Sequence, residues 1–347
     1  MRDLWDDQKT FDDALDECVY GSRLSGGDPD LVLHGGGNTS VKAPWVDVTG
    51  EAIEALYVKG SGWDLGSIEA PGFTPLPLER LRRLLELERL SDPDMMAALS
   101  AARLDASAPQ PSVETLLHAL LPHPAVQHSH ADVIVTLTNV ADGAETVRQA
   151  MGDDVVVVPY VIGMVLLNHG LFTFGDTTRQ AYRRHVELIS RAEEWLDENA
   201  PRSSAPADEL AEIPPVELAR LRREISEAAG RPMIVTRHTD TDVARFVARD
   251  DLASLASRGP ITPDHIIRTK RVPMVGTDVA SFVDDYRRYF EAHRGRSSQE
   301  LTMLDPAPRV VLDRRLGMLT VGARPVDADI AADIYHHTIP VLERAED

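Results

Sequence analysis

Residues 125–139, AVQHSHADVIVTLTN, alternate polar and apolar residues through two histidines and then become continuously apolar. This pattern predicts a β-strand that runs on into the apolar segment. Residues two apart in a strand point to the same face, so His128 and His130 are expected to share one face of a sheet. Two imidazoles on one face are a common start of a transition-metal site, although such a pair also occurs in surfaces and cores without a metal.

A third histidine, His169, lies in LLNHGLFTFG, residues 166–175, directly after an apolar strand and before a glycine. A side chain at the end of a strand can emerge into a cleft, although a histidine in a turn also has simpler explanations. Three histidine ligands would leave one coordination position open on the metal, as catalytic sites require.

Glu114 lies in APQPSVETLLHALLPHP, residues 108–124, whose proline and Ser112 predict the start of a helix. A carboxylate in the first helical turn is explained by the helix dipole alone. The functional alternative is a general base beside the metal, whose burial raises its pKa so that it exchanges a proton near neutral pH.

Two glycine-rich segments, GGGNTS at 35–40 and KGSG at 59–62, follow short predicted strands, the first of them at 31–33. Together with the turn at Ser112 they could present backbone amides and hydroxyl groups to a phosphate, or they could be ordinary strand connections. Neither segment has the pattern of a nucleotide-binding loop, which disfavours a nucleotide ligand.

The chain of 347 residues is 43% hydrophobic and carries a formal net charge of −20. An acidic protein is a poor partner for nucleic acid or an anionic membrane. The N-terminal residues do not resemble a signal peptide, the single cysteine cannot form an internal disulfide, and apolar runs are too short to span a bilayer. These observations predict a soluble cytoplasmic protein, in which a metal would be held by nitrogen and oxygen ligands.

The distribution of proline, serine and alanine predicts two domains joined by a linker at 201–215. The first, 1–200, opens with an amphipathic helix predicted over Trp5–Ser25 and contains the histidines. The second, 216–347, alternates helices and strands as a small α/β domain. It contains TPDHIIRTKR at 262–271, which could either hold an anionic group or form a solvated basic surface.

These motifs, taken together and in this order over residues 10–200, resemble the class II aldolase/adducin family. GGGNTS resembles the family's phosphate loop, KGSG its second phosphate turn, PSVE the segment with the catalytic glutamate, HSH the paired metal ligands and NHG the third ligand. Within the family, the sequence of these motifs is most similar to the aldolase half of bifunctional rhamnulose-1-phosphate aldolase/alcohol dehydrogenases.

The resemblance implies an α/β fold, a three-layer α/β/α sandwich around a mostly antiparallel sheet, and a homo-oligomer, usually a tetramer. It also implies Zn²⁺ or another divalent transition metal. It assigns the acid/base role to Glu114, and the metal to His128, His130 and His169. It assigns the substrate phosphate to Gly37, Asn38, Ser61, Gly62 and Ser112.

The implied function is reversible cleavage of a ketose 1-phosphate, similar to rhamnulose 1-phosphate, into dihydroxyacetone phosphate and an aldehyde. Two alternatives stay open: a sugar-phosphate epimerase using the same retro-aldol chemistry, and a non-catalytic interaction module like the adducin head. The family's proton-donating tyrosine has no assignable counterpart. Relatives also carry a turn and a helix where Tyr160 here continues directly into Val161. That connector is predicted to be either truly lost from this protein or missing from this sequence.

Overall fold

The computed structural model describes residues 1–155, 157–158, 165–203, 206–296 and 300–346. The chain forms two compact units, Met1–Pro201 and Arg202–Asp347, each with its own sheet and buried core. Across the described ranges, none of the helices combines the length and apolar character needed to cross a membrane. The Tyr160–Val161 junction lies outside the described residues.

The N-terminal unit is built on a seven-stranded sheet in the order β3-β2-β1-β4-β7-β6-β5. The strands are β1 (Asn38–Val46), β2 (Ala52–Lys59), β3 (Phe73–Pro77), β4 (Ala125–Ser129), β5 (Val157–Val158), β6 (Val165–Leu166) and β7 (Gly170–Gly175). All neighbouring strands pair antiparallel except β5 with β6, which are parallel. The sheet is therefore mostly antiparallel, as predicted.

Helices cover both faces of this sheet. They are α1 (Ala14–Gly26), α2 (Leu78–Leu85), α3 (Asp92–Ala101), α4 (Thr115–Leu120), α5 (Asp132–Thr138), α6 (Gly143–Met151) and α7 (Thr178–Asn199). Leu56 and Val58 of β2 pack with α2, α3 and α4, whereas the intervening Tyr57 packs against a core built with α1, α5, α6 and α7. Since side chains alternate along a strand, the two faces bury separate cores, and the predicted three-layer α/β/α sandwich is confirmed.

Three local predictions were wrong. The strand predicted over 125–139 ends at Ser129, and the apolar run that follows it is the buried helix α5, because a short apolar run does not distinguish a buried strand from a buried helix. Residues 31–33 lie in an irregular connection rather than a strand. The opening helix begins at Ala14, after Asp13, whose side chain accepts a hydrogen bond from the Asp16 backbone N–H.

The C-terminal unit has a four-stranded sheet in the order β8-β11-β10-β9, so that β9 is an edge strand. The strands are β8 (Ile234–His238), β9 (Met274–Val275), β10 (Val310–Asp313) and β11 (Gly317–Gly322), and the helices are α8 (Pro215–Ala229), α9 (Thr241–Ala248), α10 (Leu252–Ala256), α11 (Ile266–Thr269), α12 (Val279–His293) and α13 (Pro325–Glu346). Helices α9, α10 and α13 cover one face of the sheet, and α8 and α12 cover the other.

Candidate active site

Three histidines from two places in the chain converge at one end of the N-terminal sheet. His128 lies on β4, His130 directly follows the end of that strand, and His169 lies in the turn between β6 and β7. The antiparallel pairing of β4 with β7 places His128 opposite Phe172 and so brings this turn to the histidine pair. The Nε2 atoms of His128 and His130 are 3.0 Å apart, and all three side chains are buried.

Glu114 completes the cluster from the segment that immediately precedes α4. Its Oε1 atom lies 3.1 Å from Nε2 of His128 and 3.0 Å from Nε2 of His169. One ligand atom from each of these residues and from His130 falls within 4.8 Å of all the others.

The donor set fits a divalent transition metal. Two ligand atoms bound to a tetrahedral zinc at its usual bond lengths lie about 3.3 Å apart. The observed separations between cluster atoms are 3.0 and 3.1 Å, so these side chains would move apart by a few tenths of an ångström to accommodate an ion. Three imidazole nitrogens are ligands that zinc, manganese and cobalt accept, and they leave the Glu114 carboxylate beside the ion as a base.

The backbone of β7 orients the first of these ligands. Nδ1 of His128 donates to the carbonyl oxygen of Leu171 at 3.0 Å, which leaves the lone pair of Nε2 directed at the cluster. The imidazole also stacks on the Phe172 ring at 3.8 Å. The sequence motifs did not identify these contacts, because Leu171 acts through its backbone and carries no chemical signal of its own.

A buried polar chain fixes the backbone between the two paired histidines. The Ser129 hydroxyl donates to Nε2 of His185 at 2.6 Å. Nδ1 of His185 donates to the Thr173 hydroxyl at 2.9 Å, and this hydroxyl donates to the Ala181 carbonyl. Burial lowers the pKa of His185 to about 3, so this imidazole is neutral and can both donate and accept. His185 could not be identified from the sequence, because its position in the long helix α7 gives no sign of a role near β4.

Glycine is required where the NHG turn passes β4. A Cβ atom on Gly170 would lie 2.2 Å from the carbonyl oxygen of Ser129 and 2.9 Å from Cε1 of His128. A similar restriction applies at Gly37, whose φ is +64° and whose added Cβ would meet the His128 carbonyl oxygen at 3.0 Å. Both glycines therefore allow other chain segments to approach the metal-ligand strand closely.

The pKa of Glu114 is lowered, whereas the sequence predicts that it is raised. Burial raises the pKa of this carboxyl group, as the sequence analysis expected, but His128, His169 and His130 together outweigh burial and hold the pKa well below its usual range. The expectation of a raised pKa was wrong because it considered burial without the adjacent imidazoles. The group is accordingly a carboxylate at neutral pH, able to accept a proton or to bind a metal.

The segments expected to hold phosphate meet beside Glu114. Lys59 donates from Nζ to the Gly35 carbonyl at 2.8 Å, and Gly60 forms an isolated β-bridge with Pro111. These contacts join the two glycine-rich segments and the 108–124 segment around one region.

Within this region, four of the five predicted phosphate residues differ in the groups that they offer to a phosphate. Asn38 is buried and donates from Nδ2 to Oε2 of Glu114 at 3.3 Å, so its amide contacts the carboxylate. The Ser61 backbone N–H is used by the Gln110 carbonyl at 2.7 Å, whereas the Ser61 side chain and Gly62 are exposed. The Ser112 hydroxyl accepts from the Glu114 backbone N–H at 3.2 Å and retains its own proton to donate.

Comparison with known proteins gives matches over both units. Residues 17–164 match the family model described as the class II aldolase and adducin N-terminal domain, and residues 213–347 match the model described as the second domain of class II aldolase. The N-terminal class II aldolase domain of a conserved protein from Thermoplasma acidophilum is 42% identical, with a TM-score of 0.53, and the match covers 56% of this chain and 99% of that one.

A protein of Bacillus subtilis (strain 168), named uncharacterized oxidoreductase YuxG, is 29% identical over 393 residues. The match covers 99% of this chain and 56% of that protein, so the chain spans little more than half the length of this relative.

Proposed function

We propose that this chain, which belongs to the class II aldolase family, is a metal-dependent aldehyde-lyase acting on a phosphorylated sugar. The observation that carries the proposal is the convergence of His128, His130, His169 and Glu114 on one small volume. Such a cluster fits a divalent metal, with zinc the first candidate and manganese or cobalt the alternatives.

The proposed substrate is a ketose 1-phosphate similar to rhamnulose 1-phosphate. Its phosphate would be met by Gly37, Asn38, Ser61, Gly62 and Ser112, which lie on three segments that contact one another beside Glu114. The hydroxyl groups of Ser61 and Ser112 and the open backbone at Gly62 are the donors this surface offers to a phosphate.

The chemistry divides between the metal and the chain. A divalent metal supplies Lewis-acid polarisation of the substrate carbonyl. When the carbon–carbon bond breaks, the Glu114 carboxylate accepts the proton of the hydroxyl on the departing carbon, which becomes the aldehyde carbonyl. The electron pair of the bond stays on the dihydroxyacetone phosphate fragment as an enediolate. We assign to Glu114 the transfer of a proton to the carbon of that enediolate, with Asn38 orienting its carboxylate.

Two further proposals come from the sequence analysis, the oligomeric state from the family resemblance and the location from the composition of the chain. The chain forms a homo-oligomer, a tetramer, and it works in the cytoplasm. Sedimentation of the purified protein tests the first, and cell fractionation tests the second.

The test combines metal analysis with product analysis. We expect close to one zinc per chain, and release of dihydroxyacetone phosphate from rhamnulose 1-phosphate or fuculose 1-phosphate that a chelator abolishes. His169→Ala is expected to lose both metal and turnover, whereas Glu114→Gln keeps the metal and loses turnover. His123→Ala is the matched control, since this histidine stacks on Phe174 outside the cluster.

The outcomes separate the candidate functions. Conversion of the sugar phosphate to an epimer, without release of fragments, would replace the lyase by an epimerase. Absence of bound metal after purification in zinc-containing buffer would contradict both enzymatic functions and favour an interaction module.

A further inference from the structure

The C-terminal unit contains a cavity of about 520 Å³ for which the aldolase proposal provides no role. The cavity lies between α10 and α12 and is lined along one side by the 270–275 segment, which includes the edge strand β9. Phe282, Tyr286 and Tyr289 contribute its aromatic wall. Their spacing of four and three residues places these rings on one face of α12. The volume falls in the range of small-molecule sites.

Two cations lie against this aromatic wall. Nζ of Lys270 is 4.1 Å from the centre of the Tyr286 ring, and Cζ of Arg271 is 5.0 Å from the centre of the Tyr289 ring. Because the two tyrosines are neighbours on one helix face, the two positive groups are held side by side. They come from the basic end of the TPDHIIRTKR segment.

Lys270 occupies its position at a cost to stability. It is a non-glycine residue with a φ of +68°, and its side chain is buried with Nζ donating to the backbone carbonyl of Asp305. Burial, with a contribution from Arg309, lowers the pKa of Lys270 to about 8, so the ammonium group is still mostly charged at neutral pH. A strained backbone and a buried cation at the wall of a cavity together point to a function rather than to a contribution to folding.

The acidic groups nearby are already engaged. The Asp305 carboxylate pairs with Arg309 at 2.6 Å and with Arg231 at 3.4 Å. On the cavity wall, Asp278 accepts from the backbone N–H of Ser281 at the start of α12, and Asp285 pairs with Arg288. Across the part of the chain that the structure describes, neither Lys270 nor Arg271 lies within 4.0 Å of a carboxylate oxygen.

We propose that this cavity binds a small organic anion, a carboxylate or a phosphate monoester on an apolar or aromatic body. Lys270 and Arg271 hold the anionic group, and the aromatic face of α12 contacts the body. The ammonium group of Lys270 has three donors, one of which goes to the Asp305 carbonyl, so it keeps donors for the anion. The site lies within the C-terminal unit and its existence does not depend on the aldolase proposal.

The experiment is isothermal titration of the full chain with phenyl phosphate and with benzoate, and with benzyl alcohol as the uncharged analogue. We expect saturable binding of at least one anion, and the stronger of the two identifies the preferred group. Benzyl alcohol is expected to bind at least about tenfold more weakly, because it lacks the charge-assisted hydrogen bonds.

Three variants locate the site. Lys270→Met and Arg271→Gln are each expected to weaken anion binding by at least about tenfold, and Arg220→Gln, an exposed cation on α8, is expected to change it less than about twofold. The Arg271 side chain is exposed, so its replacement is expected to leave folding intact. Arg271→Gln therefore tests the proposal even if Lys270→Met fails to fold. Binding that is equal in the wild type and in Arg271→Gln would overturn the proposal, as would failure of both anions to bind the wild type at about 10 mM.

Discussion

Gly170→Ala offers a sharp test of how the metal-ligand strand is packed. An added Cβ would lie 2.2 Å from the Ser129 carbonyl oxygen and 2.9 Å from Cε1 of His128, so β7 has to move by about 1 Å to restore ordinary contact. Overpacking of this kind costs about 1–3 kcal/mol, and the upper part of the range is expected because the first atom belongs to backbone. A loss of about 2–3 kcal/mol lowers the melting temperature of a unit of this size by about 4–12 °C.

The same movement carries the Leu171 carbonyl away from Nδ1 of His128, a hydrogen bond of 3.0 Å. Losing a hydrogen bond that orients a metal ligand typically lowers metal affinity by about 10–100-fold. Scanning calorimetry with and without zinc measures the loss of stability. The transition whose melting temperature zinc raises belongs to the unit that binds the metal. A chromophoric chelator in competition then gives the zinc affinity.

Gly295→Ala is the matched control. Within the described residues no heavy atom lies within 4 Å of a Cβ added there, so this substitution is expected to be neutral or slightly stabilising. If Gly170→Ala melted within about 1 °C of the wild type and bound zinc equally well, the described contact between β7 and β4 would be wrong.

Three further predictions concern residues around the cluster. His185→Leu removes the hydrogen-bond partner of Ser129 and is expected to lower zinc affinity about 10–100-fold in the same chelator competition; unchanged affinity would contradict a positioning role. Asn38→Ala removes the donor to Glu114 and is expected to lower kcat at least about tenfold at unchanged zinc content, so an unchanged kcat would show that this bond has no part in turnover. Burial lowers the pKa of His118 to about 3, against about 6.5 in the unfolded chain. As the pH decreases, the unfolded state therefore takes up the proton first. The free energy of unfolding is expected to fall as the pH decreases from about 6.5 towards 3. In denaturant titrations at pH 6 and 5, His118→Gln is expected to reduce this loss by up to about 1.4 kcal/mol per pH unit, and an equal slope in both proteins would contradict the assignment.

Several features followed from the sequence because they depend on neighbours in the chain. The spacing in HSH predicts that two imidazoles share a face of one strand, and Nε2 of His128 lies 3.0 Å from Nε2 of His130. The order of the glycine-rich, PSVE, HSH and NHG motifs indicated the family and its three-layer fold.

Other features depend on contacts between distant segments, which periodicity cannot represent. The apolar residues of α5 were assigned to a strand, because their helical conformation is decided by packing against α6 and α7. The pKa of Glu114 is lowered rather than raised because His128, together with His169 and His130, is brought against it by the fold. The hydrogen bond from Ser129 to His185 joins residues 56 apart.

The sequence by itself determined which chemical groups this protein carries and which of them lie on one strand or turn. The tertiary structure decided which groups meet, and therefore their charge state and their partners. This division is physical, since bond geometry fixes the directions of nearby side chains, whereas the electrostatic environment of a buried group is set by whatever segments pack around it. The TPDHIIRTKR segment illustrates the difference: its basic residues favoured a solvated surface over an anion site, and only the fold places Lys270 and Arg271 on adjacent tyrosines beside a cavity.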